Sequence, residues 1–114
     1  MHEDPFSDHA LPGIVTGIDI AGTTPDGDIP PRFADECRLA LERVGQQLAD
    51  RGLTFRDVRH FAYTVRDIEA FRQYQTLVFE ALGNARAAMT LRLVTSLPNE
   101  GQRIAFSFSA ESGG

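Results

Sequence analysis

At 114 residues the chain has the size of one domain, enough to bury roughly 65% of the surface its unfolded form exposes and to hold a core without staples. A net charge of −5 argues against a nucleic-acid partner, whose phosphates call for clustered cations, and no apolar run approaches the 18 or so residues of a membrane span. Eleven arginines and no lysine exclude Schiff-base chemistry by a lysine of this chain, and the single cysteine, Cys37, excludes an intrachain disulfide.

Residues 1–12 are polar, carry two prolines and show no period, which predicts a flexible N-terminal arm without the basic start and apolar stretch of a signal peptide. His2 and His9 fall there among acids and read as part of a solvated acidic arm rather than a metal site. Ile14, Thr16, Ile18 and Ile20 alternate with Val15, Gly17, Asp19 and Ala21 as a strand does. Gly22 to Pro31 is turn chemistry. From about Arg32 to Asp50, Phe33, Cys37, Leu41, Val44 and Leu48 recur at spacings of three and four and predict a helix, stopped by Gly52. Val58 and the alternating run from His60 to Val65 predict a second strand. Asp67 reads as the N-cap of a second helix carrying Ile68, Phe71, Gln75, Val78, Phe79 and Leu82 and ending at Gly83, with Gln75 an imperfection in its stripe. Two further strands follow, around Met89-Leu91-Leu93 and Ile104-Phe106-Phe108, on either side of a turn at Pro98 to Gly101.

These elements predict one α+β domain over 13–110, with a short tail at 111–114 and two helices packed on one face of a mixed sheet. The large apolar residues Phe61, Tyr63, Met89, Leu91, Leu93, Ile104, Phe106 and Phe108 should take the helices. The other face offers Ala62, Thr64, Ala88, Thr90, Ala105, Ser107 and Ser109, with Arg86 in phase. Alanine is a poor strand residue on a solvated surface, so such a face suits another chain or a ligand-lined cleft; a plain exposed polar face is the alternative.

The residues carry no nucleophile elbow, glycine-rich phosphate loop or paired-cysteine metal spacing, and neither a metal nor a cofactor is expected. Cys37 lies on the apolar stripe and reads as a packed core thiol. His60 reads as a structural or surface histidine, or as an acid–base group. Arg86 opens a strand directly after a helix stop, where a guanidinium can clamp a carboxylate through two parallel bonds; a surface ion pair is the other reading.

The segment LALERVGQQLADRGLTFRDVRHFAYTVRDIEAF, then Ala85-Arg86, the Leu97-Pro98 turn and the final strand resemble the RidA (YjgF) family pattern in order and spacing. Ile18 to Pro25 (IDIAGTTP) resembles the strand and Ser-Gly-Gln-x-Pro turn that precede the first helix in that family. The resemblance covers about residues 13–110. It implies a chorismate-mutase-like fold and a homotrimer whose sheets face inward as a barrel, with ligand sites in clefts between subunits. It further implies hydrolysis of reactive enamines and imines to keto acids and ammonia without metal or cofactor; the cytoplasm is the default location for a sequence that shows neither a signal-peptide pattern nor a membrane span. Arg86 stands where the family arginine holds the substrate carboxylate, with Ala21 and Ala88 beside the bound molecule. Thr90, Ser107 and His60 are the candidates for steadying the attacking water.

The departures from the pattern matter as much. The family's Gly-Pro-Tyr-Ser-Gln segment has no counterpart, Ala21 replaces the serine of Ser-Gly-Gln, and the usual Arg-Ser becomes Arg86-Ala87-Ala88. The family's last-strand glutamate falls at Ser107, and a hydroxyl is a poor base at neutral pH. Three readings stand on this evidence. They are a RidA-like imine deaminase, a divergent pathway enzyme on the same scaffold that condenses, cyclises or deaminates a carboxylated intermediate, and a non-catalytic trimer that binds small carboxylates.

Overall fold

The computed structural model describes residues 13–83 and 85–111; the expected N-terminal arm, Asn84 of the second helix stop and 112–114 lie outside them. The chain runs β1 (Ile14–Ile20), α1 (Phe33–Ala49), a 3₁₀ turn (Phe55–Asp57), β2 (Val58–Val65), α2 (Ile68–Arg72), α3 (Gln75–Leu82), β3 (Ala88–Leu93) and β4 (Ile104–Glu111). The four strands form one mixed sheet in the order β1-β4-β2-β3. β4 is antiparallel to both β1 and β2, and β3 runs parallel to β2 at the edge. Among the described residues, no helix is long and apolar enough to cross a membrane.

α1 forms where the three-and-four spacing places it, and its stripe of Phe33, Cys37, Ala40, Leu41, Val44 and Leu48 is buried. It packs on β4 and β1. Beneath it, Phe61 and Phe106 stack at 5.2 Å between ring centres, and Tyr63 meets Phe71 of α2 at 4.8 Å. Gly52 takes φ 73° just past the helix end, a backbone that side chains disfavour.

Three expectations need correction. The second helix is not continuous: it breaks after Arg72, at Gln73 and Tyr74, and restarts at Gln75, which removes the imperfection in the stripe. Asp67 caps the first piece as expected, its Oδ1 accepting from the amides of Glu69 and Ala70. In β1 the alternation is interrupted by a bulge between Gly17 and Ile20. Gly17 and Ile20 are buried while Ile18 is exposed, so the four residues Ile14, Thr16, Ile18 and Ile20 do not share a face. The bulge turns on Asp19 at φ 52°, a conformation that aspartate tolerates better than most residues. A side chain at Gly17 would sit 2.3 Å from the Phe108 ring, so glycine is what lets that ring pack.

The third correction concerns β3. Met89, Leu91 and Leu93 share the register of Phe61, Tyr63 and Val65, yet they are exposed rather than helix-covered. β3 pairs only with β2, and the long helix lies over β4 and β1, at the other side of the sheet.

Candidate functional site

The register places the second sheet face in rows. Ser109, His60 and Ala88 form one; Ser107, Ala62 and Thr90 the next; Ala105, Thr64 and Arg92 the third. A bulge at the start of β2 leaves Arg59 without a partner across the ladder and turns His60 onto this face, opposite Ser109. β3 begins at Ala88, so Arg86, expected to open the strand, lies two residues ahead of it, in the irregular segment that leads to the Ala88–His60 pair. Three candidates named from the sequence, His60, Ala88 and Thr90, therefore share one strip on β3 and the neighbouring β2, Arg86 leads into it, and all four are exposed.

Arg86 has no hydrogen bond or ion pair among the described residues, so the surface ion pair that spacing alone allowed is absent there. An exposed guanidinium that is unengaged among the described residues is able to take an anion in bidentate fashion.

Ser107 differs from the others. It is 3% exposed, and its Oγ accepts the Asp19 amide at 3.0 Å. The hydroxyl that stands where the resemblance puts the family's glutamate thus pins the β1 bulge. The alternative of a plain exposed polar face does not hold, because Ala62, Thr64, Ala105, Ser107 and Ser109 are all buried, while His60 and the β3 residues of the face are exposed.

Ala21 is not brought to the strip. It follows β1 at the far edge of the sheet, and its carbonyl accepts from Arg43 of α1 at 2.8 Å. The same guanidinium also binds the hydroxyl and carbonyl oxygens of Thr23. A site containing both Arg86 and Ala21 therefore needs residues from two copies of the chain.

Sequence reasoning passed over the ionic node at the other end of the sheet. Glu36 is fully buried on α1; its Oε1 accepts from Arg103 Nε at 2.6 Å, and its Oε2 from the amides of Arg103 and Ile104 at 2.8 and 3.3 Å. Arg103 also donates to the carbonyls of Pro30 and Pro31 and lies over the Phe33 ring at 5.2 Å. The signal was the pair itself, an acid one turn into a helix and an arginine just before a strand. Only the fold shows that they meet. Cys37 lies beside this node, and burial, reinforced by the Glu36 charge, pushes its thiol up to about 12.

Solved structures share this fold. A YjgF/YER057c/UK114 family protein from Mycobacterium tuberculosis, Rv2704, superposes with a TM-score of 0.77 at 24% identity, covering 90% of this chain and 81% of its own. RidA from the Antarctic bacterium Psychrobacter sp. PAMC 21119 gives 0.80 at 16% identity, over 90% of this chain and 83% of that one. The chain has the YjgF/RidA fold. TdcF from E. coli, solved with bound serine, has the same fold at a TM-score of 0.77 and 18% identity, covering 97% of each chain. No protein-family model matches the sequence, and no curated protein sequence is significantly similar to it. The YjgF/RidA fold is thus carried here by a strongly diverged sequence, in which the elements and their order persist while most side chains differ.

Proposed function

We propose that this chain is a divergent RidA-type protein that hydrolyses reactive enamine or imine intermediates to keto acids and ammonia in the cytoplasm. On this reading it acts as a homotrimer, and Arg86 holds the substrate carboxylate in a cleft between subunits. The observation that carries the proposal is the exposed Arg86 guanidinium, unengaged among the described residues and two residues ahead of the strip that holds His60 and Thr90, in a protein of YjgF/RidA fold. The bound serine of TdcF supports a small carboxylate-bearing ligand for this fold. In a single chain the strip is open to water, and a second subunit would supply the missing wall together with Ala21.

The chemistry is modest. Water adds to the imine carbon, a proton reaches nitrogen, and the carbon–nitrogen bond breaks to release ammonia and leave the carbonyl. Arg86 orients the substrate through its carboxylate, and His60 or Thr90 steadies the water. Ammonia release from freshly generated 2-iminopropionate tests this. The protein is expected to accelerate release, and Arg86→Ala to weaken substrate binding about 10- to 150-fold, the value of a charge-assisted clamp. A rate unchanged in the variant removes Arg86 from the mechanism.

One observation favours a second reading. Ser107 is buried and engaged by Asp19, so no carboxylate or accessible hydroxyl stands where the resemblance puts the family's glutamate. A trimer that binds small carboxylates without turning over any imine accounts for that arrangement. Calorimetric binding of a keto acid, lost in Arg86→Ala and accompanied by no ammonia release, would establish it.

A further inference from the structure

The Glu36–Arg103 node borders a cleft of ≈ 730 Å³ whose lining includes Gly27, Asp28, Pro30, Arg66, Glu100 and Arg103. That volume is within the usual range of small-molecule sites, about 300–1,000 Å³. Its walls are fixed from several sides. Arg103 ties down Pro30 and Pro31, Thr24 and Asp28 bond each other, and the Asn99 turn is held by Gln102, whose amide donates to Ile104. Arg66 continues the β2–β4 pairing by one residue, its amide donating to the Arg103 carbonyl at 3.3 Å. Site and anchor are therefore preorganised.

The charges in this cleft sort into two groups. The Arg103 guanidinium is matched by Glu36, and the neighbouring Asp67 carboxylate caps α2. Arg66, Asp28 and Glu100 remain, and among the described residues none of their side chains has an ion pair or hydrogen bond. One cation and two anions thus border the same concavity without pairing with each other. A ligand bearing both signs would satisfy them together, whereas a simple anion would meet two carboxylates.

We propose that this cleft binds a small zwitterion, a molecule with one carboxylate and one ammonium group, the carboxylate on Arg66 and the ammonium between Asp28 and Glu100. It is a different site from the Arg86 strip. Arg86 leads into Ala88, which pairs with His60 near the start of β2, whereas Arg66 follows the last residue of that strand; His60 and Arg66 are six residues apart, roughly 20 Å at the rise of a strand.

Amide NMR titration of the full chain tests this with 4-aminobutanoate, using butanoate and butylammonium as single-charge controls on the same carbon skeleton. Saturable shifts are expected at Gly27, Asp28 and Gly101, with each control at least about tenfold weaker. Arg66→Gln and the double change Asp28→Asn with Glu100→Gln should each weaken the zwitterion at least about tenfold, while Arg86→Ala leaves it unchanged. All three Arg66, Asp28 and Glu100 side chains are exposed, and retained spectral dispersion shows that the variants are folded. The proposal is overturned by the absence of saturable shifts, by butanoate binding as tightly as the zwitterion, or by sensitivity to Arg86 instead of Arg66. Because the Arg86 variant is read separately, failure here leaves the deaminase reading standing, and the converse holds.

Discussion

Cys37 shows how placement decides a side chain's chemistry. It is fully buried on the apolar side of α1, next to the Glu36 carboxylate, and both features disfavour the thiolate. The folded thiol holds its proton up to about 12, whereas an exposed thiol in the unfolded chain loses it near pH 8.5. Above that lower value the folded state binds more protons than the unfolded state, so stability falls as pH rises towards 12 and is fully present below about 8.5. Alkaline urea melts should show this decline, and a Cys37→Ala variant should lose that part of it. Native protein should also resist iodoacetamide at neutral pH, with labelling appearing only on denaturation. Arg86 is the opposite case, an exposed group whose significance lies in having no partner among the described residues.

At the scale of elements, Glu36 joins α1 to the start of β4 and, through Arg103, to the Pro30–Pro31 loop. Removing one partner of a buried pair leaves the other charge and two strand amides without their acceptor. Glu36→Ala should therefore cost about 3–5 kcal/mol, read as a lowered urea midpoint at unchanged slope. Gly22 belongs to the same join, since a side chain there would lie 2.0 Å from the Glu36 carbonyl oxygen. None of this was visible in the sequence, where an acid in a first helical turn reads as a solvated group favoured by the helix dipole. What periodicity did reveal was the elements themselves: the stripe of α1, the Asp67 cap and the alternation of β2 and β4. It failed where one residue resets the phase, at Asp19 in β1, and where coverage depends on strand order, at Met89, Leu91 and Leu93. Alternation marks those three as one face of a strand but does not say that the strand lies at an edge. For the site, the pattern put His60, Ala88 and Thr90 on one face, as the register does, whereas Arg86, in phase by sequence, lies ahead of the strand. It did not foresee Ser107 turned to a structural task, because that depends on a hydrogen bond across the bulge.

For the molecule as a whole, β3 is unfinished on both sides. Its apolar row is exposed on the helix side, and the Arg86 strip is open on the other. An assembled protein would resolve both, and light scattering is expected to give three times the 12.6 kDa of one chain. Leu91→Glu should shift that mass downward while changing the stability of a lone chain by no more than about 0.5 kcal/mol, as for an ordinary surface position. A wild-type protein that is monomeric at working concentration would remove the inter-subunit cleft, and with it the proposed role of Arg86. The strand order has a further consequence. β1 and β2 do not pair with each other, and each joins the sheet through β4, the strand latest in sequence. During synthesis, then, the ribosome must release residues 104–111 before the earlier strands can close into one layer. Until that moment the nascent chain carries the apolar residues of β1 and β2 without their principal partner, a window in which a holding chaperone would have most to protect.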